Sequence, residues 1–244
     1  MRGAGWLIVA GLLSGCHAFD ALSSQYGADL SCAGCADLSA HELDANQVGD
    51  GGAIDLAQVL GELAGASELT PASVDLTAEG MRDWVHWGHQ SPDGVDRNAA
   101  VTPLVSGLSL LGNVQLQGYG NNLVAFSWTN GTPNAQVTTT AGVFVVGVGR
   151  GFSVTVPADT TVQTVKLYVG GYQSRGQVRA HLSDSSVSDY IDATFSRSDG
   201  SLYNATYTFT FKAASPNQTL ILQWQALSLS QTDGNVTLQA VALK

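Results

Sequence analysis

The sequence predicts an all-β fold: a jelly-roll β-sandwich, preceded by a signal peptide and an acidic, mostly disordered arm with one short helix. Three observations carry this. From about Val74 onward, short runs of alternating apolar and polar residues recur, broken by Gly, Pro, Asn and Asp. No helical period separates them, which excludes the strand–helix alternation of a parallel sheet. Charge is also unevenly divided. Residues 17–79 hold seven Asp and four Glu with no Lys or Arg, whereas residues 80–244 hold nine Asp, no Glu and nine Lys or Arg. The first stretch has the makeup of a solvated arm that resists collapse, the second that of a neutral domain. With a net charge of −10, the chain is unsuited to nucleic acid as a partner. Three segments follow: 1–15, 16–72 and 73–244.

Segment 1–15 opens with Met1-Arg2-Gly3 and an apolar run, Ala4–Leu13, too short to span a bilayer as a helix. It ends in Leu13-Ser14-Gly15-Cys16, which resembles the lipobox of bacterial lipoproteins. The resemblance implies cleavage before Cys16, whose thiol carries diacylglycerol. Palmitate-type chains would then hold the protein in the cell envelope, at the outer membrane or cell surface. Several acyl chains bury enough methylene groups for stable anchoring, where one does not. The alternative is an ordinary signal peptide in which Cys16 is incidental.

The arm, 16–72, holds Cys32 and Cys35, spaced for a short-loop disulfide in an oxidising compartment. A c-type haem needs His after the second Cys, and Ala36 stands there. Asp44, Asn46 and Asp50 ahead of Ile54, with Asp55 just after it, are like a degenerate dockerin or EF-hand calcium loop, with Gly51 for the turn. Val48 occupies a ligand position in that pattern, and the plain alternative is an acidic linker. Leu56, Val59, Leu60 and Leu63 share one helical face, with Asp55 in the first turn and Gly65 as terminator.

In segment 73–244 the strands read as Leu123–Trp128, Val143–Val148, Gly151–Val156, Thr164–Val169, Gly176–Leu182, Tyr203–Phe211, Thr219–Ala226 and Asn235–Ala242. Tyr203, Ala205, Tyr207, Phe209 and Phe211 take one face of their run and Asn204, Thr206, Thr208 and Thr210 the other, as a half-buried strand requires. The run Asp83-Trp84-Val85-His86-Trp87-Gly88, followed by a polar loop, Arg97-Asn98-Ala99-Ala100-Val101, Phe126–Pro133, Gly151–Asp159 and a closing Gly234–Ala240, resembles a D-W-x-H-W-G module of secreted bacterial proteins. That module is similar to the galactose-binding-like jelly rolls, and no catalytic residues are assigned to it.

The residues expected to bind a ligand are Trp84, His86, Trp87, His89, Asp93, Asp96, Arg97 and Tyr172. A sandwich strand has one inner face, so one of Trp84 and Trp87 should be core and the other a flat platform for a sugar ring. The bland alternative packs both and leaves His86 as an interior histidine. Trp128, Trp224 and Tyr168 are secondary candidates, with Tyr168 expected in the core, and the Asp184–Asp192 loop could meet hydroxyls or calcium. No catalytic residue is assigned: Glu is absent after Glu79, and no G-x-S-x-G, H-E-x-x-H or P-loop occurs. The expected function is non-catalytic glycan binding by a lipid-anchored surface protein. Calcium is the one cofactor considered. A protein-binding adhesive role and an Asp-pair hydrolase stand as alternatives.

Overall fold

The computed structural model describes residues 60–244. The signal peptide, Cys16, Cys32, Cys35 and the proposed calcium ligands Asp44, Asn46, Asp50 and Asp55 lie outside the described residues.

The chain is a jelly-roll β-sandwich with a small third sheet laid on one outer face. In order its elements are β1 (Glu62–Leu69), β2 (Ser73–Asp75), α1 (Leu76–Glu79), β3 (Asp83–Trp87), β4 (Val95–Asn98), β5 (Ser109–Leu111), β6 (Gln117–Tyr119), β7 (Ala125–Trp128) and β8 (Gly131–Thr132). Then come β9 (Val137–Thr139), β10 (Gly142–Val146), β11 (Gly151–Ala158), β12 (Gln163–Tyr172), β13 (Ser174–Leu182), β14 (Tyr190–Asp192), β15 (Leu202–Lys212), β16 (Gln218–Leu229) and β17 (Asn235–Leu243). All eight strands expected from alternation are present. The short ones (β2, β4, β5, β6, β8, β9, β14) lack the length to show a period.

The larger sheet runs β1-β15-β12-β17 and then forks. One half of β17, Ala240–Leu243, pairs with β3, which leads to β4 and β8. The other half, Asn235–Leu238, pairs with β10, which leads to β6. The second sheet runs β14-β13-β16-β11-β5. Between the two lies the main core: Val165, Leu167, Tyr207, Phe209, Phe211, Val236 and Leu238 from one side, Phe152, Val154, Val178, Leu220, Leu222 and Trp224 from the other. These are the inward positions of the alternating strands.

A second core lies on the opposite face of the larger sheet. There the β2-β7-β9 sheet and α1 cover the β3–β17 end, burying Val74, Leu76, Phe126 and Trp128 against Trp84, Tyr168, Ala240 and Ala242. Asp75 caps α1, its Oδ1 accepting from the Thr77 N–H at 2.9 Å. Glu79 closes the helix with ion pairs to Lys166 (2.8 Å) and Lys244 (3.1 Å).

Two expectations change here. Glu62 and Leu63, the end of the expected helix, belong to β1, whose eight residues pair antiparallel with β15. Leu63 packs against the main core, and Gly65, expected to end a helix, lies against the Tyr190 ring instead. Pairing with a long, well-packed neighbour outweighs a short helical period, because most helical stability comes from packing rather than local propensity. The sandwich therefore takes in residues 62–72 as well as 73–244. Among the described residues no helix is long and apolar enough to cross a membrane.

Candidate functional site

The strand expected to carry the ligand carries the fold. All five residues of β3 are buried, with Trp84 at 0% and Trp87 at 2% exposure. The one-inner-face argument fails because the third sheet gives this strand a second inner face. Trp87 and Val85 enter the main core, and Trp84 enters the second. Neither Trp is a sugar platform. Asp83 Oδ2 accepts the N–H groups of Leu104 (2.7 Å) and Val105 (2.8 Å), tying down the following loop. Gly88 has φ +88°, and its Cα meets the Gly142 backbone so closely that a Cβ would strike it. His86 sits between Phe126 (centroids 5.6 Å) and Trp128 (5.1 Å), with neither ring nitrogen hydrogen-bonded. Desolvation pushes its pKa down to about 4; Asp96 and the nearby Ala141 backbone oppose the shift only in part. It is a neutral interior histidine.

The hairpin after β3 gathers the next candidates. His86 and Asp96 stand opposite one another in the β3–β4 ladder, as do Val85 and Arg97. Asp96 is buried and fully engaged. Its Oδ2 faces His89 Nδ1 at 3.0 Å, and its Oδ1 accepts from the Asn134 backbone N–H (3.0 Å) and side-chain amide (2.9 Å). Trp128 Nε1 donates to the Asn134 carbonyl at 2.8 Å, so the network locks the hairpin to the third sheet. Asp93 is exposed and Arg97 half-buried. The structure thus brings His89, Asp93, Asp96 and Arg97 onto one hairpin, with Asp96 spent on structure.

Beside this hairpin, at the fork where β3 and β10 part, lies an open groove of about 370 Å³. Gly88, Gln90, Ser91, Pro92, Gly118, Tyr119, Gly120 and Ala141 line it. Tyr119 is half-buried, and its hydroxyl is fixed from below. It accepts from Gln239 Nε2 (2.6 Å) and Asn122 Nδ2 (3.1 Å). Burial raises its pKa to about 12, despite these partners and Thr237. Gly118 and Gly120 flank Tyr119 along the groove: a Cβ on Gly118 would lie 3.3 Å from Pro92, and one on Gly120 would meet nothing within 4 Å, while Gly142 lets its backbone lie against the Tyr119 ring. The result is a rigid aromatic plate flanked by the amide of Gln90 and the hydroxyl of Ser91.

Neither Tyr119 nor Gln239 was among the residues expected from sequence. The signal that could have found Gln239 is a phase slip. In β17 the inward residues are Val236 and Leu238, then Val241 and Leu243, and the one-residue break falls at Gln239-Ala240. The structure has a β-bulge there: Tyr168 pairs with Ala240 and Val169 with Leu238, leaving Gln239 unpaired. A bulge sends two successive residues to one side, so Gln239 reaches Tyr119 while Ala240 fills the second core.

The remaining candidates lie elsewhere. Tyr172 pairs with Asn235, at the far end of β17 from β3, roughly 17 Å away at the rise of an extended strand. It is half-buried and belongs to no common site with the hairpin. Tyr168 is core, as expected, and Trp128 and Trp224 are buried as well. The loop aspartates are engaged internally: Asp184 with Ser186 and Ala214, Asp189 with His181 and Arg179 (2.6 Å each), Asp192 with Tyr207 (2.7 Å). Among the described residues no group of three or more His, Cys, Asp or Glu could hold a metal ion.

No family model matches the chain, and no curated protein does. Solved structures similar to it include the enzymatically active domain of bacteriophage CBA120 tailspike protein 4 (10% identity, TM-score 0.33, covering 58% of this chain and 19% of that one). Two others are the CBM22-1 xylan-binding domain of Paenibacillus barcinonensis Xyn10C (10%, 0.30, 56% and 85%) and a CBM36 carbohydrate-binding module in complex with calcium and xylotriose (9%, 0.27, 57% and 100%). Likeness at this level bears on no ligand and no chemistry of this chain.

Proposed function

We propose that this chain is a non-catalytic, glycan-binding lipoprotein of the bacterial envelope, anchored through Cys16, and that it holds sugar in the groove over Tyr119. One observation carries the binding reading: an aromatic plate in an open groove, its hydroxyl fixed by Gln239 and Asn122, with polar side chains beside it. A sugar ring stacks its C–H face on such a plate while its hydroxyls reach amide and hydroxyl groups. Fixing the ring in advance lowers the ordering cost of binding. The lining holds no carboxylate, which supports binding over hydrolysis.

The test is retention of the full chain on a panel of insoluble and soluble polysaccharides. Tyr119→Ala should abolish retention on the recognised glycan. Tyr119→Phe should keep the plate and most of the binding while lowering stability by about 1–3 kcal/mol, since Gln239 loses its buried acceptor. Gly120→Gln, at a position with open space, should weaken binding without moving the melting temperature. Binding unchanged in both Tyr119→Ala and Gly120→Gln would remove the groove from the site.

The adhesive reading has its own observation. A second groove of about 280 Å³ is lined by Leu69, Ala72, Leu123, Val124 and Leu202, among others, with Leu69 70% and Leu123 71% exposed. Exposed apolar side chains gathered at one place suit a protein contact. No retention on any glycan by the folded chain would put that surface first.

A further inference from the structure

Beyond the Tyr119 groove, a second cavity of about 330 Å³ has a different chemistry. It lies where β13 begins, against the segment 196–199 and the end of β16, and five of its lining residues are serines: Ser174, Ser196, Ser198, Ser228 and Ser230. Arg175, Arg197 and Asp199 complete it. We infer that this cavity binds an acidic saccharide, with Arg175 and Arg197 taking the carboxylate of a uronic acid, and with Asp199 and the serines other than Ser174, whose buried hydroxyl is held by Asn235 and Tyr203, taking its hydroxyls.

Two cations without a carboxylate partner share this lining. Lys166 and Lys244 are matched by Glu79, Arg179 by Asp189 and Lys212 by Glu62. Among the described residues Arg82, Arg97, Arg150, Arg175 and Arg197 have no carboxylate within ion-pair distance, and of these Arg175 and Arg197 line one cavity together. The local backbone explains their convergence. The β13–β16 register shifts between Arg175 and Gly176, and Gly176 is seated against the Trp224 ring where a Cβ would not fit. Such a bulge re-aims its neighbour, and Arg175 is exposed. The segment after β14 is held alongside by the Arg197 N–H to the Ser174 carbonyl (2.9 Å) and by Arg175 Nε to the Ala193 carbonyl (2.6 Å). Ser196 and Ser228 then flank Arg175 across neighbouring strands.

Two guanidinium groups against one carboxylate leave the lining at +1, in a chain of net charge −10. Asp199 accepts from the Ser201 N–H (3.1 Å) and hydroxyl (2.6 Å). The same carboxylate accepts from a sugar hydroxyl. A ligand that presents one anionic group among several hydroxyls fits this mixture, and guanidinium forks match carboxylate geometry in two-point contact.

The proposal adds a second site and does not require sugar over Tyr119. The probe is polygalacturonate, compared with its fully methyl-esterified form and with free acetate, using the full chain at low and physiological salt. The acid form should bind at least tenfold more tightly than the ester, with affinity falling as salt rises. Arg197→Gln, whose side chain holds no hydrogen bond in the fold, should cost about tenfold, and the Arg175→Gln/Arg197→Gln pair should erase the preference for the acid form. Tyr119→Ala should leave that preference intact, which separates this site from the first. Equal affinity for acid and ester, an unaltered preference in the double variant, or acetate competing as well as the polymer would each overturn the inference.

Discussion

His86 is enclosed between two aromatic rings with both nitrogens unpartnered, and this makes the fold acid-sensitive in a defined window. Its folded pKa of about 4 lies below the unfolded value of 6.5, so the unfolded chain takes up a proton that the folded chain refuses. Stability is therefore full above pH 6.5 and falls as pH drops toward 4, by about 2–3 kcal/mol at pH 4.5. Urea midpoints at pH 7.5, 5.5 and 4.5 should show the decline, and His86→Phe should flatten it between 7.5 and 5.5. In that range Asp189, whose pKa is held low by its hydrogen bond to His181 and by Arg179, remains ionised in both states. An unaltered slope in the variant would assign the loss to other groups. The same histidine was legible in sequence as part of a dense aromatic cluster. Its confinement was not, because the rings that confine it lie about 40 residues further along the chain.

Among the elements, β1 is the plainest case of tertiary context overriding a local pattern. Leu56, Val59, Leu60 and Leu63 fit a helical face, and Gly65 fits a helix stop, but β15 offers an edge whose eight paired positions run the length of β1. One substitution probes the strand pairing directly, at Gly65→Ala. In the strand, the added Cβ lies 2.7 Å from the Tyr190 ring, so the variant should lose about 1–3 kcal/mol in thermal or urea unfolding. A variant as stable as the parent would contradict the β1 pairing. Elsewhere the long strands were legible for a simple reason: β15 and β11 alternate over eight or more residues, whereas β6 and β14 have three.

At the scale of the whole molecule, the two cores share strands. β3 sends Trp87 into one and Trp84 into the other, and β17 does the same with Val241 and Ala242. A third sheet attached through common strands cannot detach without exposing Trp84, Trp128 and Phe126 together. Unfolding of residues 60–244 should therefore be one cooperative transition. Tryptophan fluorescence followed in Trp84→Phe and in Trp224→Phe should give the same midpoint as circular dichroism for each variant. Two midpoints would mean that the cover sheet melts separately.

What the sequence determined by itself is the strand content, the division of charge and the inward faces of long alternating strands such as β11 and β15, because alternation and composition are local properties of the chain. The site was decided by tertiary structure. Trp84 and Trp87 look like a binding surface until the third sheet, which carries Val74, Phe126 and Trp128, covers the face that alternation leaves free. Tyr119 stands in a three-residue strand and becomes a plate only when Gln239, 120 residues away, is turned beneath it by a bulge. Arg175 and Arg197 share a cavity because the chain folds back at Ser196. Burial and convergence depend on which segments meet, and no local period in the sequence encodes that.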